Sequence, residues 1–139
     1  MIKDNNLNFH CHSSKKNISH QTEVYLVDTY GETSLFFKIC KIVFMGGSLV
    51  NHGGQNPLEA SRLGCKIVNG PNTDNFKDIY KLLQKLKISK KINSYKNLTN
   101  IIKKNIKTDS NSKAIIKKIE KIGIKIKKLT LKELKQVID

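Results

Sequence analysis

FMGGSLVNHGGQNPLEASRLG, residues 44–64, is the stretch that decides the fold of this 139-residue chain. Its first residues end an apolar run, and two Gly-Gly pairs then form a loop. After the loop, Asn56 can cap a helix, Pro57 fits the first helical position and Gly64 suits the residue after the last turn. The stretch therefore predicts a strand, a loop that other atoms can approach closely, and a short helix.

Short apolar runs and helical patterns alternate around this stretch. Three runs predict buried strands: EVYLVD (23–28), KIVFM (41–45) and CKIVN (65–69). A helix is predicted after the first of them, with one apolar stripe made of Leu35, Phe36, Ile39 and Cys40. A strongly amphipathic helix is predicted over 72–87. The alternation predicts an α/β fold, a Rossmann-like parallel sheet with flanking helices.

The two ends of the chain show different patterns. Residues 1–22 follow neither a strand nor a helix period, so we expect them to be irregular or disordered and the domain to cover 23–139. Lysine-rich helices are predicted over 97–106 and about 112–122. A separate terminal helix is predicted from Thr130, because Thr130 and Glu133 have the spacing of a capping box.

The chain is strongly basic, with a formal net charge of +15. Of its 26 basic residues, Arg62 is the one arginine. Proteins that read phosphates or bases use the bidentate guanidinium more heavily, so the composition does not favour a nucleic-acid partner. Most of the lysines follow residue 76 and alternate with Ile and Asn. We interpret them first as solvated helix faces and next as an electrostatic contact with a membrane surface.

Cysteine and histidine positions exclude two classes of site. Cys11, Cys40 and Cys65 are odd in number and unevenly spaced, which does not predict a disulfide framework and favours a reducing compartment. The HCH triplet at 10–12 cannot easily close a tetrahedral metal site, and no second ligand cluster follows it. No apolar run reaches the roughly 18 residues of a membrane span.

The glycine-rich loop leaves its strand at the sheet edge where ligands bind in open α/β sheets. Its glycines let backbone approach a ligand, and amide groups there can hold a phosphate. Glu59 is then suited to accept hydrogen bonds from the two hydroxyls of a ribose. An alternative stays open from the residues alone: Asn56 and Glu59 form a variant capping box, and the glycines only permit tight turns.

DTYGE, residues 28–32, is a second polar loop after a predicted strand. Asp28 and Thr29 can cap the following helix. Alternatively, Gly31 lets backbone approach a base or sugar while Glu32 accepts a hydrogen bond from it.

Four motifs occur in order over about residues 23–80: DT-x-GE, GGS, GG-x-NPLE and GP-x-x-x-NF. This stretch resembles the C-terminal domain of 3-deoxy-D-manno-octulosonic acid (Kdo) transferases. The resemblance implies part of the C-terminal domain of a GT-B glycosyltransferase, a CMP-Kdo donor, and transfer of Kdo to a lipid A precursor in lipopolysaccharide biosynthesis. It implies no cofactor and no metal, and a location at the cytoplasmic side of the bacterial inner membrane.

The resemblance also implies a set of donor-binding positions. They are Tyr30, Gly31, Glu32, Gly46, Gly47, Ser48, Gly54, Gln55, Asn56, Pro57, Leu58 and Glu59. No catalytic residue is expected, because the family's catalytic carboxylate and acceptor-binding domain lie upstream of the residues present. We therefore expect residues 23–139 to be a partial nucleotide-sugar binding domain that is incomplete and inactive alone.

One departure from the family pattern is Gln55, where family members usually have His. Gln can still donate a hydrogen bond to the donor. The alternatives are a non-catalytic nucleotide-sugar binding module, a fragment that uses a UDP-sugar, and a basic protein that binds membrane surfaces.

Overall fold

The structure is a computed structural model that describes residues 3–106 and 112–138. The chain divides into two compact units, residues 1–33 and 34–139. Parallel strands form a sheet in each unit, and helices join the strands of the second unit. This arrangement confirms the predicted α/β class.

The first unit contains two parallel strands, β1 (Phe9–Cys11) and β2 (Val24–Leu26). The carbonyl oxygen of Asn8 accepts hydrogen bonds from the amides of Glu23 and Val24, at 2.8 and 3.0 Å, and starts the pairing. The prediction that residues 1–22 are irregular is wrong for β1. A three-residue strand is too short to show a period, and only pairing with β2 defines it.

The second unit is built on three parallel strands in the order β3 (Ile42–Phe44), β4 (Lys66–Asn69) and β5 (Ser89–Lys91). The central strand β4 buries Ile67 and Val68. β2 was expected to share a sheet with β3 and β4, but it pairs with β1 instead. β5 was not predicted, because its sequence SKK carries no apolar pattern and its strand conformation comes from pairing with β4.

Five helices surround these strands in the described residues. They are α1 (Thr33–Ile39), α2 (Leu58–Arg62), α3 (Lys77–Lys85), α4 (Tyr95–Ile106) and α5 (Ser112–Ile138). The crossovers between β3, β4 and β5 run through α2 and α3, as parallel strands require. Among the described residues, no helix combines the length and apolar character that crossing a bilayer requires.

The apolar stripe predicted for α1 is not the side of the helix that packs against the core. Leu35 and Ile39 are 56% and 77% exposed, whereas Phe37 packs against the core. The buried thiol of Cys65 lies 3.1 Å from the carbonyl oxygen of Phe37 and 3.2 Å from that of Cys40. The side of α1 that meets the core is therefore not the one that the sequence predicted.

The last helix, α5, is one continuous helix of 27 residues rather than two. The predicted capping box at Thr130 is wrong, because the Thr130 hydroxyl donates to the carbonyl oxygen of Ile126 at 3.0 Å within the helix. No proline interrupts the segment, so the helix continues. Its first turns join the core through Ile115 and Ile119. Gly64, with φ +88°, makes room for Ser112 at its start.

Candidate functional site

The loop after β3 is held by its own backbone and by the loop after β4. The backbone amide of Met45 donates a hydrogen bond to the carbonyl oxygen of Val68 at 2.9 Å. The backbone amide of Asn72 donates one to the backbone carbonyl oxygen of Ser48, also at 2.9 Å. These bonds place the GGS segment beside the GP motif, at the carboxyl ends of two adjacent parallel strands. The fold thus brings together two of the motifs at the sheet edge where the sequence predicted a site.

Ser48 joins the two loops through its side chain. It is fully buried, its hydroxyl donates to the carbonyl oxygen of Met45 at 2.5 Å, and it accepts from the amide of Gly70 at 2.8 Å. The proton of this hydroxyl is already used, and its full burial keeps it from direct contact with a donor. We infer that Ser48 positions the loop. The exposed Gly46 beside it has open space where a side chain would stand.

Glycines 53 and 54 have φ values of +80° and +71°, which L side chains rarely adopt. A Cβ at Gly53 would lie 2.5 Å from the Asn75 amide nitrogen, and one at Gly54 would lie 3.1 Å from the Asn72 carbonyl oxygen. The glycine pattern had predicted that this space accommodates a nucleotide. In the structure, the protein's own loop after β4 occupies the space beside both glycines.

The start of α2 decides between the two interpretations of Asn56 and Glu59. The Asn56 side-chain oxygen accepts a hydrogen bond from the backbone amide of Leu58 at 3.0 Å, the bond expected of a helix cap, although the helix begins at Leu58, one residue later than predicted. Glu59 is exposed, and within the described residues its carboxylate makes no hydrogen bond or ion pair. The capping box is therefore not closed, and the Glu59 carboxylate is available to a ligand.

The remaining positions of this motif differ in exposure. Gln55 is exposed, and its backbone carbonyl oxygen accepts a hydrogen bond from the Tyr80 hydroxyl at 2.7 Å. Pro57 is buried and Leu58 is half-buried. Tyr80 is a residue that sequence reasoning missed. It fixes the NPLE segment from α3, and burial raises the pKa of its hydroxyl to about 12.

The DTYGE loop belongs to the first unit and is described by itself. Tyr30 is fully exposed, and Gly31 has φ +83°. The Glu32 carboxylate accepts a hydrogen bond from the Thr29 hydroxyl and lies 3.1 Å from His12 Nε2. The bond from Thr29, followed by the contact with His12, lowers the pKa of Glu32.

The other carboxylate of this loop is also engaged. Asp28 accepts hydrogen bonds from the amide and hydroxyl of Ser13, at 2.9 and 2.6 Å, and these lower its pKa. Sequence reasoning offered Asp28 and Thr29 as caps of α1, but their side chains meet Ser13 and Glu32 instead.

His12 is the second residue that sequence reasoning missed. Its Nδ1 lies 2.7 Å from the Tyr25 hydroxyl, and its Nε2 contacts Glu32. His10 stacks on the same tyrosine ring, with ring centroids 5.5 Å apart. These side chains line an open pocket of ≈ 290 Å³ together with Lys15. No local signal marks His12 beyond its place in the HCH triplet.

Metal ligation finds no support in this arrangement. The described residues contain no group of three or more His, Cys, Asp or Glu side chains placed to bind a metal ion. The three cysteines are free thiols, and burial raises the pKa of Cys65 to about 11.

Sequence and structure comparisons point to the same group of proteins. No protein-family model matches the chain. It is 35% identical over 94 residues to a 3-deoxy-D-manno-octulosonic acid transferase from Haemophilus influenzae, covering 68% of this chain and 22% of that protein. It is 31% identical over 99 residues to the transferase of the same name from Aquifex aeolicus, covering 67% of this chain and 28% of that protein. The chain thus spans about a quarter of the length of these relatives.

A solved structure matches the fold. It is the C-terminal CMP-Kdo binding domain of WaaA from Acinetobacter baumannii, with a TM-score of 0.77 and 26% sequence identity, covering 87% of this chain and 63% of that one. This match confirms the predicted fold class. The chain is therefore a relative of the Kdo transferases, and its fold is that of a C-terminal domain of the family.

Proposed function

We propose that the chain is the CMP-Kdo-binding part of a Kdo transferase. The observation that carries this proposal is the match to the solved CMP-Kdo binding domain of WaaA. The sequence similarity to Kdo transferases from several bacteria supports the same donor.

In this proposal, Glu59 accepts hydrogen bonds from the ribose hydroxyls of CMP. Its support is the exposed carboxylate without a partner in the described residues, next to a loop that Asn56 and Tyr80 hold in place. Gly46, Gly47 and Gln55 are proposed to offer backbone or amide groups to the donor, and the buried Gly54 is proposed to shape the loop beside them. Ser48 and Pro57, which are buried, are proposed to position the loop.

The DTYGE loop is proposed to supply Tyr30, Gly31 and Glu32 to the donor. The fully exposed Tyr30 ring can stack on a base or sugar, and Thr29 and His12 hold Glu32 ionised. Leu58 remains a proposed donor position by resemblance, although its half-buried side chain lines a groove with α5.

The transfer of Kdo to a lipid A precursor is proposed for a complete transferase that contains such a domain. We propose a peripheral location at the cytoplasmic side of the inner membrane. Support for the location comes from the family's expected acceptor and from the net charge of +15.

Calorimetric titration of the chain with CMP, CMP-Kdo and UDP tests the donor proposal. CMP and CMP-Kdo are expected to bind more tightly than UDP.

Glu59→Ala is expected to weaken CMP binding by roughly tenfold or more, the effect of losing hydrogen bonds to a charged group. Glu133→Ala is the matched control, because Glu133 is an exposed glutamate on α5 and is not one of the proposed donor positions. No CMP binding by the folded chain, or equal loss in both variants, contradicts the proposal. Tighter binding of UDP would instead identify a UDP-sugar domain.

A further inference from the structure

The second half of α5 is an exposed amphipathic helix without a role in the donor site. Every described residue of the helix from Gly123 to Ile138 is exposed. Large apolar side chains are among them, including Ile126 at 56%, Leu129 at 52% and Val137 at 85% exposure. Such a continuous apolar surface indicates a binding partner rather than a solvated helix.

Of the six lysines in residues 121–138, Lys127 lies apart and the other five form one stripe. They are Lys121, Lys125, Lys128, Lys132 and Lys135, at alternating spacings of four and three residues. At 3.6 residues per turn, these spacings place them along one face of the helix. The segment 121–138 holds one acidic residue, Glu133, so the stripe keeps its positive charge.

Apolar residues cover most of the remaining circumference, which also carries two charged residues, Lys127 and Glu133. Ile122, Ile126 and Leu129 each follow a lysine of the stripe by one position, which places them beside it. The face opposite the lysines includes Gly123, which has no side chain, and Thr130. The Thr130 hydroxyl donates to the carbonyl oxygen of Ile126 within the helix, so it can leave water without losing a hydrogen bond.

The apolar surface continues into the body of the second unit. An open groove of ≈ 920 Å³ is lined by residues of α2, α3 and α5, among them Ile79, Leu82 and Ile122. The surface available to a partner is therefore larger than the helix alone.

The charge of the helix and the width of its apolar face decide which partner fits. A second copy would bring its own lysine stripe with almost no acidic residues to complement it, and the apolar arc is wider than the two-position seam of a coiled coil. Nucleic acid would match the charge but would leave the apolar side chains in water. A bilayer surface with anionic lipid complements both faces at once.

We propose that residues 121–138 form an interfacial helix that lies on a bilayer containing anionic lipid. The apolar face enters the boundary between headgroups and acyl chains, and the lysines contact the anionic headgroups. This inference names the element responsible for the peripheral location proposed above, but it does not depend on the donor site.

Sedimentation of the chain with vesicles tests the proposal. Phosphatidylcholine vesicles with and without phosphatidylglycerol are the probes, and strong binding is expected only to those with the anionic lipid. The triple variant Lys125→Gln, Lys128→Gln, Lys132→Gln is expected to bind roughly a hundredfold more weakly, at roughly fivefold for each lysine near the surface. The pair Ile126→Gln, Leu129→Gln keeps the charge and is expected to bind at least roughly tenfold more weakly.

A matched triple variant, Lys85→Gln, Lys90→Gln, Lys96→Gln, removes the same charge from exposed positions outside α5. It is expected to bind anionic vesicles with a loss of less than roughly tenfold, as for charges held away from the surface. Circular dichroism and CMP titration show whether each variant keeps its fold and its donor site. An equal loss in both triple variants, or an unchanged affinity of the apolar pair, overturns the proposal. The absence of vesicle binding overturns it too. Self-association that the apolar pair abolishes would assign the surface to a second copy instead.

Discussion

The Ser48 hydroxyl oxygen lies 2.8 Å from the backbone nitrogen of Gly70, and both residues are buried. This bond joins the loops that follow β3 and β4, from positions 22 residues apart in the chain. The same hydroxyl donates to Met45 at the end of β3. One small side chain therefore holds the shape of the sheet edge at which the donor is proposed to bind.

Ser48→Ala is expected to lower the free energy of unfolding by about 1–3 kcal/mol, because the buried amide of Gly70 loses its partner. Urea denaturation measures the loss. CMP affinity is expected to fall as well, since the loop that carries Gly46 and Gly47 is no longer held. A variant as stable as the parent chain would show that another group replaces the hydroxyl.

Gly70→Ala is expected to be more damaging, because the new Cβ would collide with the carbonyl group of Ser48. We expect a loss of at least about 3 kcal/mol, the range of severe backbone or packing conflicts. Gly123→Ala is the matched control. A Cβ at Gly123, an exposed position in the middle of α5, meets nothing within 4 Å. Gly123→Ala is therefore expected to stabilise the chain by about 0.5–1 kcal/mol. Similar effects of both substitutions on the thermal midpoint would contradict this assignment.

Alkaline pH is expected to destabilise the second unit through Tyr80 and Cys65. Burial raises the pKa of Tyr80 from 10.0 to about 12 and that of Cys65 from 9.0 to about 11. Since the unfolded chain loses these protons first, their contribution is complete below the unfolded pKa values and is lost as pH rises to the folded ones. The free energy of unfolding should therefore fall between about pH 9 and pH 12, as urea titrations at successive pH values would show.

Tyr80→Phe separates the two groups. It is expected to remove the part of this fall between about pH 10 and pH 12 while leaving the part due to Cys65. At neutral pH it loses the hydrogen bond to the Gln55 carbonyl, a loss of about 0.5–1.5 kcal/mol. An unchanged pH profile would show that Tyr80 does not titrate differently in the two states.

The two halves of α5 are expected to respond differently to truncation. Ile119 is in the core, whereas Ile126 is 56% exposed. Ile119→Ala is expected to cost about 2–4 kcal/mol, and Ile126→Ala less than about 1 kcal/mol. Chemical denaturation of the two variants without lipid measures the difference. Equal costs would mean that the second half of the helix packs against the body of the chain.

Much of the local structure could be predicted from the residues. The strands β2, β3 and β4 were found because their β-branched and aromatic residues form short apolar runs. Their predicted burial is confirmed for β4 but is wrong for β2, whose Tyr25 and Leu26 are exposed. The helix cap at Asn56 could be predicted because its side chain bonds the backbone amide of Leu58, only two residues away in the chain. β1 and β5 were missed, since three-residue strands depend on pairing with a partner for their definition.

The sequence by itself determined the α/β class, the order of motifs and the family resemblance, because these depend on local pattern and on residue identity. Tertiary structure decided which strands pair, that the loop after β4 fills the space beside Gly53 and Gly54, and that Ser48 is buried. It also brought His12 to Glu32 and left Glu59 exposed. These relationships join residues far apart in the chain, and no local period encodes them. They exist only once the backbone has brought the loops together.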